Sequence, residues 1–299
     1  MSDINWNEKA DYLMQTRGLY LNDDYLAFLV RHVWGLDSPT EVIDFGCGFG
    51  YMGLKLLPLL PAGSAYTGVD LADGLLAKAR EIFNSAPYRT EFVQADVTEA
   101  ELPARHYDLA VCHALLLHTP NPVAVLKQMK RCVKPGGLVI CIEPHWIGSM
   151  AKTYYHGGPQ SAYVKLGILQ RLYEKDAERS GKDGNIGIKV PLFMDEVGLT
   201  DIACRMSDRV NLLLPHQDPA RQKQVMESLQ AEGFGSAPQD RAIFQERLMA
   251  RGLSAEEAEK QYESECAFAA RYVACGATPQ AVFAPGMMIC YGRVPAANA

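Results

Sequence analysis

Apolar positions follow two rhythms along this chain. Between residues 41 and 143, short and almost wholly apolar runs alternate with stretches whose apolar residues return every three or four positions. The runs are EVIDF (41–45), AYTGVDL (65–71), TEFVQADV (90–97), YDLAVCHALL (107–116) and LVICIE (138–143). A strand that is apolar throughout is buried on both faces, which is the pattern of a parallel sheet covered by helices on each side. The intervening stretches predict helices from about Gly50 to Leu60, from Asp73 to Asn84 and from Asn121 to Val133. Pro58 and Pro61 stop the first, and Lys134-Pro135-Gly136-Gly137 closes the last.

Outside this segment the rhythm changes. Residues 3–35 carry apolar positions at helical spacing (Tyr12, Leu13, Leu19, Tyr20, Leu26, Phe28, Leu29, Val33) and break at Gly18 and at Asn22-Asp23-Asp24. Asn22 or Asp23 is placed to cap the second piece. After Pro144 come a helical insertion, a polar glycine-rich loop at 181–187, a helix at 188–197 and a sixth strand at 200–214. A second helical insertion, broken at 233–238, leads to a last strand at 280–294. The expected fold is α/β: a doubly wound, seven-strand, mostly parallel sheet whose last strand is antiparallel. The whole chain (1–299) is expected to form one domain. Residues 1–40 form a helical cap and 41–144 the core, 145–187 and 215–279 are helical lids, and 188–214 with 280–295 complete the core.

Bulk properties narrow the function. The chain has 299 residues, 48% hydrophobic and 21% charged, which is ordinary globular composition. Its net charge of −6 gives no footprint for a nucleic-acid backbone, so no nucleic-acid partner is expected. Eight cysteines form no CxxC pair and several sit in apolar runs, as in a reducing compartment. The start MSDINWNEKADY is too polar for a signal peptide. No apolar run approaches the ~18 residues of a membrane span. A cytoplasmic protein with no membrane partner is expected; the oligomeric state is left open.

The chemistry gathers at the first strand. Asp44 precedes the turn Gly46-Cys47-Gly48-Phe49-Gly50, where glycines admit positive φ and let a ligand approach the backbone. Asp70 and Asp96 end the second and third runs. Parallel strands put their C-terminal ends on one side, so the three carboxylates line one crevice. Asp70 stands where a carboxylate reaches ribose hydroxyls, and Asp96 with Val97 where an adenine edge can be read. Any one of these aspartates alone would more simply be a helix cap. The turn is GxGxG, not the GxGxxG of a pyrophosphate binder, and the acid before it suits a cationic or zwitterionic ligand.

These residues resemble the class I S-adenosylmethionine-dependent methyltransferases. VIDFGCGFG looks like the family's first motif, TGVDL like its acidic ribose motif and QADV like its adenine motif. YDLAVCHALLLHTPNP and LKQMKRCVKPGGLVICIEP look like its fourth and fifth. The match covers 41–143 in order and spacing and extends into helix 188–198 and the final strands. With NDDYLAFLV, GKDGNIG and EPHW, the whole chain is similar to uncharacterised bacterial members, so the resemblance supplies no acceptor. It implies S-adenosyl-L-methionine as cofactor and S-adenosyl-L-homocysteine as product. It places the methionyl part on Asp44 and the turn Gly46, Cys47 and Gly48. The ribose falls on Asp70, the adenine on Leu71, Asp96 and Val97, and the sulfonium between Cys112 and His113. Arg17 would pair with the cofactor carboxylate.

The acceptor side is read from histidines. His113, His118 and His145 follow the ends of the fourth and fifth strands, and His156 lies in the first insertion. Methyl transfer needs a base only when the nucleophile must lose a proton, and histidine is the commonest such base. His118 is the first candidate and His145 the second. No HxH or HxxxH pair appears, so no metal site is expected. Trp146, Tyr154, Tyr155 and Phe193 are candidates for an aromatic substrate wall, although aromatics in such segments more often form core. The expected function is methyl transfer to an enclosed small-molecule acceptor. The alternatives are a macromolecular methyltransferase, a dinucleotide oxidoreductase and a non-catalytic nucleotide-binding protein.

Overall fold

A computed structural model of the chain describes residues 5–277 and 279–296. Among the described residues, ten strands form two sheets. In the main sheet are β1 (Glu41–Phe45), β2 (Ala65–Asp70), β3 (Arg89–Gln94), β4 (Tyr107–His113), β5 (Val133–Glu143), β7 (Thr200–Met206) and β10 (Met288–Arg293). Their order is β3-β2-β1-β4-β5-β10-β7. β1 to β5 pair in parallel, and β10 runs antiparallel to both β5 and the edge strand β7. The expected seven-strand sheet with an antiparallel last strand is therefore present.

The two-faced burial follows from the period of two along a strand. Val42, Leu109, Val111, Ile140, Ile142 and Ile289 point into one apolar layer. Their neighbours Ile43, Phe45, Ala110, Cys112, Val139, Cys141 and Cys290 point into the other. Burying a side chain of this size contributes roughly 1.5–3 kcal/mol each. A polar substitution on either face of β1, β4 or β5 would therefore have nowhere to turn.

Several boundaries differ from the sequence expectation, each for a local reason. β3 ends at Gln94, and Asp96 opens the following turn. β4 ends at His113, three residues short of Leu116, because Ala114 turns to φ 51°. β5 starts at Val133, since the Lys134–Gly137 turn is absorbed into a bulged ladder. Gly136 N–H bonds the Val294 carbonyl at 2.8 Å and Val294 N–H bonds that of Gly137 at 3.0 Å. The run 200–214 splits into β7 and β8 (Asn211–Leu213), and 280–294 splits into β9 (Ala281–Phe283) and β10. Pro285, without an N–H, and Gly286, at φ 61°, break the second run. β8 and β9 pair antiparallel, and β6 (Thr153–Tyr155), in a segment expected to be helical, completes the small sheet on the other side of β9.

The N-terminal cap runs through short helical turns at Trp6–Glu8, Ala10–Thr16, Arg17–Leu19, Asp23–Phe28 and Leu29–Val33. Asn22 sits at the expected cap position, but its side chain accepts from Arg209 at 2.9 Å instead of capping. The second insertion forms helices Pro219–Ala231, Arg241–Ala250 and Ala255–Ala277. It is tied to the cap through Glu232, whose carboxylate accepts from the hydroxyls of Tyr20 (2.8 Å) and Tyr12 (3.2 Å). No described helix is long and apolar enough to cross a membrane.

Candidate functional site

The C-terminal ends of β1, β2, β3 and β4 open onto a cavity of about 650 Å³. Its floor is the turn after β1. Gly46 and Cys47 donate to the Val69 carbonyl (2.8 and 3.1 Å), and Gly48 donates to Asp70 Oδ2 at 2.8 Å. The end of β2 therefore sets the shape of the turn. Gly46 and Gly48 take φ of 68° and 55°, and a Cβ on Gly46 would stand 2.6 Å from Leu115 Cδ1. Only glycine fits there without strain. The Cys47 thiol tucks against Gly68, and burial pushes its pKa well up, so this residue offers backbone and not a nucleophile.

The three aspartates meet as expected, each in a different setting. Asp44 is 1% exposed and Tyr66 donates to its Oδ2 at 2.5 Å, while Oδ1 has no hydrogen-bond partner among the described residues. Burial raises its pKa to about 7 against the opposing Tyr66 bond. Asp70 accepts from Gly48 and, through Oδ1, from Ala72 N–H at 2.8 Å; burial raises its pKa despite both bonds. Asp96 is exposed and accepts from Thr98 N–H (2.8 Å) and Oγ1 (2.6 Å), presenting Val97 to the cavity. Leu71 is 65% exposed beside them, an apolar platform with no protein neighbour to cover it.

Arg17, Trp6 and Leu13 line the opposite side, brought there by the N-terminal cap. The Arg17 guanidinium makes no ion pair with another described residue, and Tyr51 O–H holds its carbonyl at 3.3 Å. His113, the last residue of β4, is buried with Nε2 unpartnered, 5.4 Å between ring centres from Tyr51. Burial, with the Arg17 charge, keeps its pKa well below the usual range. His118 lies edge-on to Trp6 at 4.9 Å. Burial first, then Arg17 and Lys182, lower its pKa to about 4, so its imidazole is neutral at pH 7.

Three sequence expectations fail. Cys112 does not reach the cavity, because β4 alternates: His113 points in, and Cys112 points into the opposite layer. Its thiol donates to Glu143 Oε1 at 3.7 Å. His145 is not at the site either. Its Nδ1 accepts from Gly148 N–H at 3.0 Å and caps the helix Trp146–Ala151. The aromatic wall is also absent. Tyr155 is core against Tyr163 and Phe268, and Trp146, Tyr154 and Phe193 do not line the cavity. No lining residue comes from 145–187 or 215–279; the first insertion meets the rim, where Gly181 packs on the Pro120 carbonyl. Among the described residues, no group of three or more His, Cys, Asp or Glu could hold a metal. What the sequence did not reveal is Trp6, which an isolated aromatic before the first helix gives no reason to place at a site.

The residues fit a zwitterionic sulfonium nucleotide. Among the described residues, a buried carboxyl oxygen without a hydrogen-bond partner and a guanidinium without an ion pair could take an ammonium and a carboxylate. The turn leaves room for a ligand at the backbone, and Asp70 and Leu71 offer ribose and base contacts.

Comparison with known proteins agrees. Residues 42–137 match a family described as "Methyltransferase domain". A ubiquinone biosynthesis O-methyltransferase of Nitrosomonas europaea is 35% identical over 123 residues, 40% of this chain and 49% of that protein. One from Nitrosospira multiformis is 36% identical over 155 residues, 50% and 60% of the two chains. The chain thus spans about half the length of the curated relatives it matches. Two solved structures share the fold, each with a TM-score of 0.52. Phosphoethanolamine N-methyltransferase 2 of Haemonchus contortus, with S-adenosyl-L-methionine, is 14% identical and covers 98% of this chain and 61% of its own. The [4+2]-cyclase SpnF is 17% identical and covers 97% and 94%. Residues 42–137, which carry the glycine turn, Asp44, Asp70 and Asp96, are thus similar to a methyltransferase domain.

Proposed function

We propose that this protein transfers the methyl group of S-adenosylmethionine to a hydroxyl oxygen of a small-molecule acceptor. The observation that carries the reading is a carboxyl oxygen, Asp44 Oδ1, and a guanidinium, Arg17, that line one cavity with the glycine turn, the first without a hydrogen-bond partner and the second without an ion pair among the described residues. The choice of oxygen is supported by the two curated relatives described above, from Nitrosomonas europaea and Nitrosospira multiformis, which are named O-methyltransferases. When bound, S-adenosylmethionine supplies an electrophilic methyl group on sulfur.

The chain's own residues would do the rest. Asp44 holds the ammonium and Arg17 the carboxylate, Asp70 the ribose, and Leu71, Asp96 and Val97 the adenine. Trp6, Leu13 and Tyr51 exclude water, so the reacting atoms meet in an oriented, dry site. In this reading the N-terminal segment is the lid. His118, neutral and beside Trp6, accepts the acceptor's hydroxyl proton at a nitrogen. Its low pKa makes it a weak base, and a carboxylate seated on Arg17 would offset one cause of that weakness. A cavity built from strand-end loops and a chain of net charge −6 favour a small acceptor over a nucleic acid.

Calorimetry with S-adenosylmethionine, with decarboxylated S-adenosylmethionine and with NADH tests the reading. S-adenosylmethionine should bind best, and Arg17→Ala should remove the preference over the decarboxylated form. Tighter NADH binding would overturn the cofactor assignment. With a panel of phenols and labelled methyl donor, label appearing on nitrogen or carbon would overturn the choice of oxygen.

A further inference from the structure

Glu143, at the end of β5, is wholly buried and lines no part of the cavity. Its carboxylate collects one strand-end turn. Oε1 accepts from Leu115 N–H and Leu116 N–H, both at 2.9 Å, and Oε2 from Leu117 N–H at 3.4 Å. The Cys112 thiol adds a donor from β4. Three successive amides on one carboxylate amount to a cap for the turn Leu116–His118, which has no side-chain cap of its own.

The turn is held against a strain. Ala114, between β4 and the turn, has φ 51°, a left-handed conformation that a residue with a Cβ resists. Such backbone persists only where its surroundings over-determine it. Here Ala114 N–H bonds the Ile142 carbonyl at 2.9 Å, and the next three amides bond Glu143. The side chains so placed are those of the acceptor end: Leu115 against Gly46, His118 against Trp6, then Thr119 and Pro120.

We infer that Glu143 is a positioning residue for methyl transfer: its carboxylate clamps the strained turn that sets His118 and Leu115 at the cofactor's reactive end. The inference rests on the methyltransferase reading above, and it assigns to β5 the control of the acceptor-side geometry. The adenosine end, set by Asp70 and Asp96 on other loops, lies outside its reach.

The test uses the full chain with ¹³C-labelled histidine, the His118 signal being assigned by its loss in His118→Gln. In the native protein His118 should stay neutral well below pH 6. In Glu143→Gln the new amide N–H₂ faces the Leu117 N–H, so the turn loosens. The His118 ring then gains water and its titration moves up by about one pH unit or more. Affinity for S-adenosylmethionine, measured by calorimetry, should fall by less than about tenfold. Adding Ala114→Gly, which adopts positive φ without strain, should return the His118 titration toward the native value. An unchanged His118 titration in Glu143→Gln would overturn the inference. So would a shift that Ala114→Gly fails to reverse, since that marks general loosening. Native protein that does not bind S-adenosylmethionine would instead overturn the methyltransferase reading, and the two failures are read on separate instruments.

Discussion

Asp44 should make cofactor binding pH-dependent over a range where most enzymes are indifferent. Its carboxyl has a pKa near 7 because it is buried with one oxygen unpartnered, so below pH 7 it is mostly neutral. The cofactor's α-ammonium, with an ordinary value of about 7.7–8.0, remains charged through this range. Seating that cation beside Asp44 favours the carboxylate and lowers its pKa by roughly 1–3 units. Binding must then displace up to one proton, and affinity falls toward tenfold per pH unit between 7 and the lowered value. Between pH 7 and pH 5 the loss is about 5-fold for a one-unit shift and about 50-fold for a three-unit shift, or about 1–2.3 kcal/mol. Isothermal calorimetry with S-adenosylmethionine at pH 5, 6 and 7 reads the slope, and repeating pH 6 in two buffers of different ionisation enthalpy counts the proton. Asp44→Asn should bind weakly and with no slope. Glu143 also titrates near 7, but its oxygens are taken by backbone amides, so Glu143→Gln should retain the slope. Flat affinity from pH 5 to 7, or a slope that survives Asp44→Asn, would refute the assignment of Asp44 to the ammonium.

Gly46→Ala should cost about 2–4 kcal/mol in urea unfolding, from its positive φ and the Leu115 contact, and should lose cofactor binding on calorimetry. His145→Ala should lower stability by about 1 kcal/mol through the lost helix cap while leaving cofactor affinity unchanged; weakened binding would return His145 to the site. His118 has a folded pKa below its unfolded one, so its share of stability is present above about pH 6.5 and lost as pH falls toward 4. His118→Gln should therefore reduce the gain of stability with pH between pH 4.5 and 6 by about 1 kcal/mol per unit, read from urea midpoints. Asp44 and Glu143 act oppositely: both folded pKa values are raised, so their contribution is complete at low pH and lost as pH rises through 7.

The sheet was legible because its strands are apolar on both faces and end in marked residues. The cavity floor was legible because one turn and three aspartates mark it, and strand direction alone brings their positions together. The acceptor half was not. Cys112 and His113 are adjacent in an apolar run, and nothing in that run says which of them faces the cavity. His145 follows β5 more closely than His118 follows β4. Only the path of the chain after Glu143 shows that its imidazole is used by the Gly148 amide. The split of 280–294 had a visible cause in Pro285-Gly286, overridden by the length of the apolar pattern. Trp6 had no signal, since an aromatic near a chain end is placed by tertiary packing.

The double tyrosine grip of Glu232 gives the second insertion a say in a site it never touches. Tyr12 and Tyr20 bracket Leu13 and Arg17, so the carboxylate that receives both hydroxyls fixes the segment that delivers Arg17 to the cavity. Sequence drift in 215–279 can therefore retune the donor end by remote leverage, while every group in contact with the cofactor stays the same.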